Sequence, residues 1–168
     1  MAHPLVDQLR FTRSEWLRGL RGVSEADALK RLGPTNSIGW IVGHLGWQEQ
    51  RYFIARPQGQ VPFPEIDDRM ASGKPGSTPS LKEMLAAWKT ITKTADAWLD
   101  TLTTEALLEP LPPPGFKRTA GDAIRRVTYH YWFHIGEIQA IRQALGHRRL
   151  PQFVGDIESR APYIPEPR

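Results

Sequence analysis

His130 and His134 stand four residues apart in the run from Tyr129 to Ile138. On a helix of 3.6 residues per turn, that spacing sets the two side chains about 40° apart in projection, one turn above the other. Both imidazoles can then reach a single point, which is what a shared metal ion requires. A third histidine, His44, lies mid-way along an earlier helical pattern. Three neutral imidazoles suit Zn²⁺, Ni²⁺ or Fe²⁺ at roughly 2.0–2.1 Å and leave one or more coordination positions open. A structural zinc site is usually closed by four protein ligands, often thiolates, and the chain has no cysteine. The competing reading is an aromatic packing face. Tyr129, Tyr131, Trp132 and Phe133 surround the pair, and a single inward histidine is commonly a hydrogen-bonded core residue. The three histidines converge only if the helices that carry them are neighbours.

Other polar groups share these faces. Residue 137 returns to within about 20° of residue 130, so Glu137 and Arg126 flank the pair, while Gln48 and Arg51 accompany His44. Arg126 and Arg51 are candidates to bind a carboxylate of a cofactor or substrate, against the plainer reading of solvated surface arginines. Trp40, Trp47 and Trp132 are candidates for pocket walls or for core. Rival motifs fail. The His-Glu-x-x-His pattern needs glutamate at position 131, which is Tyr. The paired Glu-x-x-His of di-iron bundles and the Gly-x-Ser-x-Gly of serine hydrolases are absent.

Four long helical patterns must position these residues. The first covers residues 4–21, with Leu5, Val6, Leu9, Trp16, Leu17 and Leu20 at helical spacing. A short helix over 24–31, capped by Ser24, and a turn at Gly33–Asn36 follow. Helix two covers 37–55, and its Gly39, Gly43 and Gly46 allow another backbone or a bulky side chain to come close. Residues 56–79 hold five Pro and three Gly without periodicity, which reads as a long loop. Its reach of about 80 Å would let it cross an 18-residue helix of about 27 Å and leave helices two and three parallel. Helix three covers 80–103, opened by a Ser80/Glu83 capping box. Pro110 and Pro112–Pro114 forbid a helix over 104–118. Helix four covers 119–145 and stops at Gly146. Residues 146–168 form a surface-wrapping tail. The expectation is one all-α domain over 1–168, a four-helix bundle with a long crossover between helices two and three.

Bulk properties narrow the partners. The net charge of +4 is spread over polar faces and loops, and nucleic-acid-binding motifs are absent. No apolar run approaches the roughly 20 residues of a membrane span. The first residues show no export signal, and a cysteine-free chain fits the cytoplasm.

Asn36-Ser37-Ile38-Gly39-Trp40-Ile41-Val42-Gly43-His44-Leu45 resembles the helix-two segment of the DinB-like (YfiT-like) metalloenzyme family. His130-Tyr-Trp-Phe-His134-Ile-Gly136-Glu137-Ile138 is similar to its helix-four motif, His-x-x-x-His-x-Gly-Gln-Ile, with Glu137 where Gln is usual. The resemblance covers nearly the whole chain. It implies an up-down-down-up bundle, often a homodimer, with a divalent metal held by His44, His130 and His134. Characterised members include thiol S-transferases using bacillithiol, a mycothiol-dependent maleylpyruvate isomerase and the helical domain of sulfoxide synthases.

The leading expectation is therefore a transferase that brings a low-molecular-weight thiol and a small-molecule electrophile together at the metal. The thiol would come with the cofactor, which accounts for the lack of cysteine. One alternative is a metal-dependent hydrolase with Glu137 as base. Another is a non-catalytic metal- or ligand-binding stress-response protein.

Overall fold

The computed structural model describes residues 2–164. The end of the expected tail, residues 165–168, lies outside the described residues. The elements in order are α1 (Pro4–Leu20), α2 (Glu25–Ala28), α3 (Ile38–Glu49), a π-helical segment (Gln50–Ala55), α4 (Arg56–Gln58), α5 (Pro64–Met70), α6 (Leu81–Leu99), α7 (Thr104–Leu108), α8 (Ala120–Ala144) and α9 (Ile157–Arg160). No strand forms among the described residues, so the protein is all-helical. The chain divides into two compact units. One is Gly22–Trp98, and the other joins the residues up to Arg21 to those from Leu99 onward.

In the unit that holds the chain ends, α1 packs along α8. Val6, Leu9 and Trp16 of α1 and Ile124, Val127, Tyr131, Ile135 and Ile138 of α8 are buried, the three-and-four spacing of a helix with one apolar face. Trp16 meets Tyr131 edge-on, with ring centroids 5.7 Å apart. Thr119 caps α8 by accepting from the Asp122 N–H at 3.1 Å. At the other end Gly146, at φ 81°, turns the chain. The N–H groups of Gly146 and His147 reach back to the carbonyls of Gln143 and Arg142 at 2.9 and 3.0 Å, the Schellman pattern of helix termination.

The tail is tied to α1 by a buried carboxylate. Glu15 accepts from the Arg18 guanidinium at 2.5 Å and from the Gly155 N–H at 2.9 Å, and Arg160 lies 3.6 Å away. Burial alone would raise the Glu15 pKa. The Arg18 and Gly155 hydrogen bonds, with the charges of Arg18 and Arg160, outweigh it and hold the group below its ordinary 4.5. A carboxylate with a depressed folded-state pKa stabilises the fold above its unfolded value and loses that contribution as pH falls through the folded value. Glu15→Gln should therefore cost about 2 kcal/mol at neutral pH. In thermal melts the gap between wild type and variant should narrow as pH falls below the ordinary 4.5.

In the other unit, α3 is glycine-rich because neighbours crowd it. A Cβ on Gly39 would lie 2.2 Å from the Pro79 carbonyl oxygen, and one on Gly43 would lie 2.7 Å from Met84 Sδ. Gly46 faces Trp88 and Ile91 of α6. The start of α6 is capped from α2, where the Glu25 carboxylate accepts from the N–H groups of Leu81 and Lys82 at 2.8 and 3.2 Å. Ser80 also accepts from the Glu83 N–H, at 3.3 Å.

Three local expectations need correction. Residues 56–79 are not one loop, because α4 and α5 lie within them. Pro64 opens α5, Glu65 and Asp67 suit its first turn, and Ile66 and Met70, four apart, bury one side. Residues 104–118 do contain a helix, α7, which Thr103 caps and which ends before Pro110. Helix two does not stay α-helical to its end but widens into π geometry from Gln50.

Candidate metal centre

His134 is buried and His130 half-buried, both on α8 beside its core face. His134 Nδ1 lies 2.6 Å from Glu137 Oε2. The carboxylate can only accept there, so Nδ1 carries the proton and Nε2 presents a lone pair. That Nε2 lies 3.0 Å from His130 Nε2. Two lone pairs so close repel unless a proton or a cation stands between them. The rings meet at 68°, with centroids 4.5 Å apart. Phe133 presses edge-on against His134 at 5.1 Å and lies parallel to His130 at 6.5 Å.

His44 occupies the middle of α3 and is also buried. Its ring lies between two tryptophans of its own helix. Trp40 stacks at 4.7 Å and 11°, and Trp47 at 5.2 Å and 28°. Its Nδ1 donates to the Met70 carbonyl at the end of α5, at 2.7 Å, which again leaves Nε2 with the lone pair. Trp40 Nε1 is buried with no hydrogen-bond acceptor among the described residues.

A chain of contacts fixes that carbonyl. Gln50, buried in the π-helical segment, donates from Nε2 to the Phe63 carbonyl at 3.0 Å and to Asp67 Oδ1 at 3.1 Å. Its Oε1 accepts from the Phe63 N–H at 2.9 Å. Gln50 thus holds the first turn of α5, and α5 presents Met70 to His44. Burial raises the Asp67 pKa, although the Gln50 hydrogen bond and the Arg51 charge oppose that shift. Sequence reasoning missed Gln50 and Met70. The available signal was Pro64 followed by acids and by the Ile66/Met70 pair, a helix start inside the presumed loop.

Residues 8–138 match the family model described as the DinB superfamily, a span that includes all three histidines and Glu137. The chain belongs to the DinB superfamily. No curated protein matches it. A metal implied for this DinB-superfamily chain fits the donors present. His44 and His134 each have Nδ1 held by an oxygen acceptor, which makes Nε2 the unprotonated nitrogen, the arrangement that outer partners usually impose on metal-binding histidines.

The other candidate residues are placed as follows. Glu137 is partly buried, with its carboxylate on His134 Nδ1, where it sets the tautomer and orientation of the ring. Arg51 is exposed and lies over the Trp47 ring at 5.4 Å and the Tyr52 ring at 5.9 Å. Arg126 is exposed on α8, in a groove that also includes His130. Trp132 belongs to the packing, since its Nε1 donates to Thr12 Oγ1 at 3.1 Å. No helix among the described residues is long and apolar enough to cross a membrane.

Proposed function

We propose that His44, His130 and His134 together hold one divalent metal ion, each through one imidazole nitrogen. On this reading the protein is a metal-dependent transferase acting through a low-molecular-weight thiol, on an up-down-down-up four-helix bundle. The observation that carries the metal reading is the Nδ1 bonding of His134 to Glu137 and of His44 to the Met70 carbonyl. Bound there, a divalent ion would supply Lewis acidity, lowering the pKa of a thiol or water placed on it.

The chain's own residues do the rest. Three neutral imidazoles add no negative charge, so a thiolate or hydroxide is not repelled by its ligands. Trp40 and Trp47 hold the His44 ring in one plane and keep water from its faces. Glu137 stabilises the His134 Nδ1 proton and makes Nε2 the better donor. A carboxylate engaged in that way is a positioning group, which favours thiol transfer over the hydrolase alternative with Glu137 as base.

Glu137→Ala should weaken metal binding by about 10- to 100-fold, while Glu137→Gln, which can still accept from Nδ1, should change it far less. Competition with a chelator measures both. A variant that keeps its metal but loses turnover would instead mark Glu137 as a base. The function itself is tested by mixing metal-loaded protein with an electrophile, with and without a panel of low-molecular-weight thiols. Rates that rise only with a thiol support the transferase, and equal rates with every thiol and with none refute it.

A further inference from the structure

The exposed side of α8 carries a groove of about 530 Å³ lined by Asp122, Arg125, Arg126, Tyr129, His130 and Phe133. That volume falls within the range of small-molecule sites. Four of the six residues, at 126, 129, 130 and 133, follow the i, i+3, i+4, i+7 spacing of a single stripe. Its aromatic groups are unusually bare, with Tyr129 63 % and Phe133 69 % exposed. Large aromatic groups usually bury 150–250 Å² each, so two standing open on one helix face are surplus to the fold of this unit. Arg125 and Arg126 are exposed as well, and among the described residues neither has a hydrogen-bond or ion-pair partner. Asp122 is the only acid on the groove and sits at its far end, in the first turn of α8, opposite in sequence to His130 and Phe133.

From these features we infer that the groove binds the reacting partner of the His130 centre, and that this partner is a small aromatic or conjugated carboxylate. The inference rests on reading His130 as part of the reacting site. The planar part of the molecule lies on Phe133, whose ring runs parallel to His130, and against Tyr129. The carboxylate meets Arg126, one turn towards the helix start and about 6 Å along the axis from His130. Guanidinium is suited to this role because it can grip a carboxylate with two parallel hydrogen bonds. The pairing also sets the substrate's shape: its reactive atom and its anion are separated by roughly one helical turn.

The test uses the full chain, with and without metal, and three probes: cinnamate, its uncharged amide and acetate. Binding is read from chemical-shift changes on α8. Cinnamate should bind at least about tenfold more tightly than either of the others, because only it offers both ring and charge. Arg126→Gln should remove about tenfold of the cinnamate affinity and leave the amide unaffected. Phe133→Ala should weaken cinnamate and the amide alike. Both positions are exposed, so folding should be preserved, and thermal melts check this. Equal affinity for cinnamate and the amide, or an Arg126→Gln variant that binds cinnamate as wild type does, overturns the inference. His44→Ala separates the two readings. Cinnamate binding should survive in that variant while metal binding is lost, so failure at the groove and failure at the histidines give different results.

Discussion

His134→Ala and His44→Ala are each expected to lower affinity for a divalent ion by at least about a hundredfold, or about 2.8 kcal/mol. Either change removes one of the few nitrogen donors available, and neither position has a nearby thiolate to substitute, since the chain has no cysteine. The thermal signature should separate metal binding from packing. An ion present at a hundred times its Kd stabilises the protein that binds it by about 2.7 kcal/mol. Wild type should show that gain, and both variants should not. Without metal, His44→Ala and a third variant, His130→Ala, should also differ from each other. His44→Ala leaves the Met70 carbonyl without its donor and opens a gap between Trp40 and Trp47, which costs about 2 kcal/mol or more. His130→Ala, at a half-buried position beside the core face of α8, should cost about 1 kcal/mol or less. If these rings served only as a packing face, metal would stabilise none of the proteins.

Gly39→Ala should produce the largest loss of stability among the glycine positions of α3. Its Cβ would come within 2.2 Å of the Pro79 carbonyl oxygen and 3.3 Å of the carbonyl carbon. These are backbone atoms, which cannot swing aside as the Met84 side chain beside Gly43 can. A loss of about 3 kcal/mol is expected, at the upper end for overpacking. Since Gly39 opens the helix that carries His44, metal affinity should fall with it. Gly136→Ala is the matched control. Gly136 lies mid-helix in α8, and a methyl group added there would meet nothing within 4 Å, so alanine should stabilise by roughly 0.5–1 kcal/mol. Urea unfolding of the two variants compares them directly, and similar midpoints would contradict the close approach at Pro79.

The parts of this protein legible from sequence are those set by local rules. Thr119 and Gly146 bracket α8 because a side-chain oxygen caps one end and a glycine accepts positive φ at the other. His130 and His134 come together because four residues make about one turn, and Glu137 joins them by the same arithmetic. What stayed hidden depends on contacts distant in sequence. Glu25 caps α6 from 56 residues away, and Met70 orients His44 from 26 residues away. No spacing rule reveals either. Helix α5 was obscured for a different reason. Its two flanking stretches are rich in Pro and Gly, and a seven-residue helix shows only one apolar repeat, Ile66 to Met70. The role of Gln50 required the π-helical turn, which gives no periodic signal in so short a run.

Whether His44, His130 and His134 share one ion is read most directly from X-ray absorption at the metal edge of untagged protein. One divalent ion per chain is expected, with three imidazole nitrogens at about 2.0–2.1 Å, falling to two nitrogens and a much weaker affinity in His44→Ala. An ion bound equally tightly, with the same nitrogen count, in wild type and in His44→Ala would contradict it.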